Sequence, residues 1–262
     1  MSLSLARQMK ITNLLPYPLK TLMIKIARFA DSVLERVKRK NKFDKHRNEY
    51  SKLHSSQETM ELYPCLDDWS SKTEIEPTYF YQDSWAFDLI VKAMPKMHVD
   101  IGSHHKYVAL LSKVVPVTMV DIRPLSLEME SIRFQEGSIL DLPYPDESIM
   151  SLSSLCVIEH IGLGRYGDPL DPLGSIKACK EVSRVIGLGG SLYLSVPIEK
   201  EAKTYFNAHR SFNEDKFLAL FPEFMVKNKA YIYGSIFTDS RQAAFGIGCY
   251  YLMKTTSRKG IT

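Results

Sequence analysis

A chain of 262 residues, 45% of them hydrophobic, suffices for one sizeable α/β domain and a small appendage. No apolar run approaches the roughly 20 residues of a membrane-spanning helix. The formal charge of +4 is uneven: residues 1–50 hold 12 Lys or Arg against 4 Asp or Glu, so the remainder is net acidic, which argues against a nucleic-acid site in the main body.

In chain order, residues 1–18 contain the run LLPYP and are expected to be irregular. From Leu19 to Lys40 apolar Leu22, Ile26, Phe29, Val33 and Val37 recur at spacings of three and four, which predicts a helix with a basic opposite face. Such a helix either docks on the main domain or lies on an anionic membrane. Residues 41–78 are polar with Ser and Pro punctuation and read as a linker. Residues 1–78 are thus expected to form a basic helical extension and linker, and 79–262 a separate α/β domain.

That domain alternates. A helix over Ser84–Met94 precedes a strand over Met97–Ile101, then a helix over His105–Lys113 and a β-branched strand over Val115–Asp121. Strands follow at Ile132–Glu136 and Ser148–Ser154, a helix at Gly174–Ile186 and a strand at Ser191–Val196. A helix at Phe212–Phe221 leads to two last strands, Phe224–Tyr233 and Gly246–Lys254. The pattern implies a Rossmann-like, seven-stranded, mostly parallel sheet with helices on both faces and an antiparallel C-terminal strand. Cys65, Cys156, Cys179 and Cys249 lie far apart with no CxxC pair, which argues against a zinc site or disulfide scaffold and suits a reducing, cytoplasmic setting. The first residues lack a signal-peptide pattern.

In such sheets a ligand binds beyond the carboxyl ends of the strands where strand order reverses. The first such loop is Asp100-Ile-Gly102-Ser-His-His105, where Gly102 permits close backbone approach. A GxGxxG fingerprint is absent, which disfavours NAD. Asp121 ends the second strand, where a carboxylate can grip both ribose hydroxyls, and Ile122 can lie against a purine.

With Asp100-x-Gly102, Asp121, the stretch Gly137-Ser-Ile-Leu-Asp-Leu-Pro-Tyr-Pro-Asp-Glu-Ser148 and the run Ser153-Ser-Leu-Cys-Val-Ile-Glu-His160, the segment Val99–Val196 resembles the cofactor-binding core of class I S-adenosylmethionine (SAM) methyltransferases, in particular the type-11 branch. Tyr79-Phe-Tyr-Gln-Asp83 and Gly162-Leu-Gly-Arg-Tyr-Gly-Asp-Pro169 also resemble an uncharacterised bacterial methyltransferase-like family. The resemblance implies that Asp100, Gly102 and Ser103 flank the methionine part of SAM. Asp121 holds its ribose with Ile122 beside the adenine, Ser138 and Ile139 border the adenine edge, and Ser154 and Leu155 form the floor near the sulfonium. The chain departs from the pattern at His104, where many relatives have a second glycine, and at Ser138, where an Asp often stands.

An alcohol or phenol acceptor needs a base, and His160 is the first candidate because imidazole titrates near neutral pH. His104 and His105 come second. No carboxylate or Cys partner has metal-ligand spacing to the histidines, so no metal is expected. Ile161–Ser175 is long for a connection. In it Arg165 can clamp a carboxylate or phosphate, Tyr166 can stack on a ring, and Asp168 completes a candidate acceptor-binding loop. Tyr81, His209 and Arg210 are further acceptor-binding candidates. The expected acceptor is a small molecule or a glycan- or lipid-linked precursor. The alternative is a catalytically retired methyltransferase fold that acts as a binding or assembly partner.

Overall fold

The structure, a computed structural model, describes residues 17–53, 59–123 and 125–256. The chain divides into two compact units, residues 1–74 and 75–262.

In the first unit, α1 spans Tyr17–Leu53. It opens two residues before the expected start and runs thirteen past the expected end, so residues 41–53 are helix and not linker. Of the irregular stretch expected at 1–18, residues 1–16 lie outside the described residues, as does the Leu22 side chain of the expected apolar stripe. Polar residues sustain this helix because their charges pair along its surface: Lys38 with Glu35 at 2.8 Å, Arg47 with Asp44 at 3.5 Å and Lys45 with Glu49 at 3.9 Å. Ile26, Phe29, Val33 and Val37 are exposed. Residues 59–74 are irregular and return to α1, where Trp69 takes the Lys42 ammonium over its ring at 4.6 Å and Arg39 meets Asp67 at 2.6 Å.

The second unit begins with α2, Pro77–Ala93. It starts seven residues earlier than expected because Pro77 stands in its first turn and the Glu76 carboxylate caps the Tyr79 N–H at 2.8 Å. Tyr79 to Asp83 therefore lie within the helix. Next come β1 (His98–Ile101), α3 (His105–Leu111), β2 (Val117–Asp121), β3 (Ile132–Glu136) and β4 (Ile149–Leu155). After α4 (Gly174–Val185) and β5 (Ile186–Ile198), a ribbon of β6 (Lys203–Tyr205) and β7 (His209–Ser211) precedes α5 (Glu214–Leu218). The helix expected at Phe212–Phe221 thus shortens to five residues. The chain continues as β8 (Phe224–Tyr233), β9 (Ile236–Thr238) and β10 (Gly246–Lys254).

Strand order in the main sheet is β3-β2-β1-β4-β5-β10-β8-β9, eight strands with the first five parallel and β10, β8 and β9 joined by antiparallel pairings. The expected α/β architecture is present with one strand more. The last long strand sits inside the sheet, between β5 and β8, and the short β9 takes the edge. Alternation along β5 serves both faces: Leu192, Leu194 and Val196 join the core under α4, while Tyr193 packs with Ala86 and Ile90 of α2 and Val108 of α3. Strand order reverses between β1 and β4, which places a crevice at their carboxyl ends.

Candidate functional site

The loop leaving β1 turns at Gly102, whose φ of +64° is left-handed. A Cβ there would stand 3.3 Å from Val157 Cγ1 and 3.8 Å from Asp121 Oδ2, so the glycine keeps the crevice open. Below it, Asp100 is fully buried. Its carboxylate accepts from the Ser103 N–H at 3.1 Å and from the Ser153 hydroxyl at 2.5 Å. Because Ser153 gives its proton to Asp100, its oxygen accepts from His98 Nε2–H at 2.9 Å and from the Tyr107 hydroxyl at 3.3 Å. His98 Nδ1 then accepts from the Ser151 hydroxyl at 2.8 Å. Burial holds the His98 imidazole down at about 3 and pushes the Asp100 carboxyl up to about 6. Ser103 Oγ accepts from the Leu155 N–H at 3.0 Å, and the Ser154 hydroxyl donates to the Ile101 carbonyl at 3.2 Å. These bonds tie the β1 loop to the end of β4.

A cavity of about 710 Å³ opens above this floor. Of the residues read from the sequence, Gly102, Asp121, Ile122, Ser138, Ile139, Leu155, His160, Tyr166 and Asp168 line it. Asp100, Ser103 and Ser154 are buried behind its walls. Asp121 Oδ1 accepts from the Arg123 N–H at 2.9 Å, which leaves Oδ2 toward Gly102. Ser138 Oγ accepts from the Leu140 N–H at 3.1 Å. His104 packs at a tilt against Tyr79 with ring centroids 4.9 Å apart and forms part of the wall, so the adjacent imidazoles leave the crevice open.

On the far side, His160 Nδ1 lies 2.6 Å from the Ala208 carbonyl. A carbonyl only accepts, so Nδ1 carries the proton and Nε2 a lone pair. Burial first, then Arg165 and His209, pull this imidazole down to about 4, despite the Ala208 hydrogen bond. Beside it Glu159 is 2% exposed, with Oε1 3.7 Å from His160 Nε2 and Oε2 without a hydrogen-bond partner among the described residues. Burial pushes its carboxyl up to about 8, which favours the protonated form.

The remaining candidates lie outside the cavity lining. The Arg165 guanidinium donates to the Ala208 carbonyl at 3.1 Å. Arg210 holds the Ile161 and Asp171 carbonyls and the Ser175 hydroxyl, and borders a second cavity of about 350 Å³. His209 packs against Tyr205 and Phe245. The Tyr81 hydroxyl donates to the Ser235 carbonyl and its ring stacks on Phe237, away from the cavity lining. Sequence reasoning passed over Arg123, Cys156 and Val157 among the lining residues. Cys156 leaves β4 with a φ of +53°, a conformation that no composition signal marks. Among the described residues no group of three or more His, Cys, Asp or Glu is placed to hold a metal ion, and no helix is long and apolar enough to cross a membrane.

A family model described as a Caenorhabditis protein of unknown function, DUF268, matches residues 130–238. No curated protein matches the chain. Among solved structures, it is similar to the N-methyltransferase NodS from Bradyrhizobium japonicum, at 11% identity and a TM-score of 0.52, covering 69% of this chain and 98% of that one. It is also similar to the 1,6-didemethyltoxoflavin-N1-methyltransferase of Burkholderia thailandensis, solved with 1,6-didemethyltoxoflavin and S-adenosylhomocysteine. There the identity is 14% and the TM-score 0.51, covering 67% of this chain and 79% of that one. With its parallel half-sheet, inserted antiparallel strand and crevice at the point of reversal, the chain has the fold of the class I SAM-dependent methyltransferases.

Proposed function

We propose that the chain is a SAM-dependent methyltransferase acting on a small-molecule or glycan- or lipid-linked acceptor. One observation carries this reading: a left-handed glycine and a strand-ending carboxylate face one open cavity at the reversal of strand order. Its volume falls in the range of small-molecule sites. The lining fits an adenosyl group, because a side chain at Gly102 would intrude and Asp121 keeps one oxygen clear of the Arg123 N–H.

When bound, SAM supplies a methyl group made electrophilic by its sulfonium. Asp121 would hold the ribose hydroxyls, Ile122 a face of the purine, Ser138 and Ile139 its edge, and Gly102 and Leu155 the methionine side. Asp100, Ser103 and Ser154 keep those groups in place from behind. Nε2 of His160 is the acceptor of the proton released by the methylated group, and orientation of that group within the cavity provides most of the acceleration. Arg165, which donates to the Ala208 carbonyl and lies outside the cavity lining, would hold the loop after β4 in shape around the acceptor. Helix α1, with exposed apolar residues among its Lys and Arg, supports peripheral contact with an anionic membrane and a membrane-proximal acceptor in the cytoplasm.

A second reading, a retired enzyme serving as a binding partner, draws on the low basicity of His160. Calorimetry with SAM and S-adenosylhomocysteine tests the first. Both should bind, and Asp121→Ala should weaken binding by about 1–3 kcal/mol, the cost of polar groups left half-paired. Failure of both ligands to bind at millimolar concentration sinks the enzyme.

A further inference from the structure

We infer that Arg123 and Tyr166 form a paired outer wall that retains the adenosyl group in the cavity, an inference that rests on the methyltransferase reading above. Both residues line the cavity together with Asp121 and Ile122. Arg123 follows the end of β2. Its guanidinium carbon sits 4.6 Å from the centroid of the Tyr166 ring, and its Nε 3.8 Å from Asp121 Oδ1. Tyr166 arrives from the loop after β4, on the other side of the crevice. Its ring also meets the Arg165 guanidinium at 5.1 Å and stands edge-on to His160 at 5.4 Å. The ring therefore separates the strand-two side of the cavity, where Asp121 stands, from the imidazole that takes the proton.

The loop is shaped to hold the ring in that position. Gly162, Gly164 and Gly167 all adopt left-handed φ values, and a side chain at Gly162 would run into the backbone of Asp171. The Asp168 carboxylate accepts from the Gly162 N–H at 2.6 Å and the Tyr166 N–H at 3.4 Å, which makes it a brace of the loop. Arg210 grips the carbonyls of Ile161 and Asp171 on either side, and Arg165 grips that of Ala208. With the backbone fixed this way, the contact that crosses the mouth is a guanidinium over an aromatic face. The Arg123 side chain is 60% exposed, so the contact is solvated and reversible. A contact of that kind lets the ligand pass and slows its departure.

The test is the dissociation rate of S-adenosylhomocysteine from the full chain, followed by stopped-flow displacement. Arg123→Ala and Tyr166→Ala should each raise the rate about two- to fivefold, the effect of one exposed cation–π pair. The double variant should match the faster single variant, because the two act as one unit. Tyr166→Phe should keep the wild-type rate, since the ring remains, and a Tyr166 that serves only to fold the loop would not give that pattern across the set. Wild-type binding with an unchanged rate in Tyr166→Ala, or additive effects in the double variant, overturns the wall and leaves the methyltransferase reading standing. A wild-type chain that binds no S-adenosylhomocysteine overturns both.

Discussion

The floor of the cavity is fully buried and its back wall half-buried at His160, and they treat their polar groups in opposite ways. Under Gly102, Asp100, Ser103, Ser151, Ser153, Tyr107 and His98 bond to one another, and each bond fixes the direction of the next. Behind the cavity, Glu159 keeps an oxygen without a partner and His160 offers a free lone pair. A satisfied network gives a stable, single conformation. An unsatisfied pair of titratable groups in a cleft costs stability and is where proton chemistry is found. On the proposed methyltransferase reading, the side toward the cofactor is built for position and the side toward the acceptor for reactivity.

The sharpest way to break that comparison is His160→Asn. If the back wall is reactive, turnover should fall about 10²–10⁴-fold, the span of a lost general base, while SAM affinity from calorimetry barely moves. The wild-type rate should lose its acid side near pH 4, where burial places this imidazole, and not near its ordinary value of 6.5. Unchanged turnover would return His160 to a packing role.

The floor is tested by Asp100→Ala, which strands the Ser103 N–H and the Ser153 hydroxyl in a dry interior. The loss should be about 2–3 kcal/mol in denaturant unfolding, with weaker S-adenosylhomocysteine binding as a consequence. A midpoint equal to the wild type would mean that water replaces the carboxylate and that the floor is not a rigid support.

How far this contrast was legible from the sequence depended on how local each signal is. Ile132–Glu136 matches its expected bounds because Ile132 and Phe134 alternate with polar residues, and β1 and β2 fall within two residues of theirs because short apolar runs bounded by polar turns leave little choice. The positions that line the cavity through a strand end or a glycine, Gly102 and Asp121, were likewise visible. What stayed hidden depends on distant partners. His98 is paired with serines 53 and 55 residues away and read only as one more imidazole. Arg123 carries no signal in the sequence because Tyr166, which gives it meaning, belongs to another loop. The insertion of β10 between β5 and β8 follows from sheet assembly and leaves no local trace, and β6, β7 and β9 are too short to show alternation. The polar tail of α1 read as linker because polarity was weighed without its ion pairs.

The most specific effect belongs to Glu159→Gln. Burial raises the folded-state pKa of Glu159 from 4.5 to about 8. The folded chain therefore binds this proton more tightly than the unfolded one, so the group's contribution is complete below pH 4.5 and is lost as pH rises through about 8. Asp83, raised to about 7, and Asp100, raised to about 6, slope the same way, while His98 and His160 oppose them on the acid side because their values are lowered. The readout is therefore the difference between wild type and variant. Glutamine keeps the shape and removes the titration, so melting temperatures measured between pH about 5 and about 9 should converge on the acid side and favour the variant on the alkaline side. A variant that instead loses ground as pH rises would mean that Glu159 is ionised and paired in the fold. The back wall would then be as satisfied as the floor, and the distinction between them would disappear.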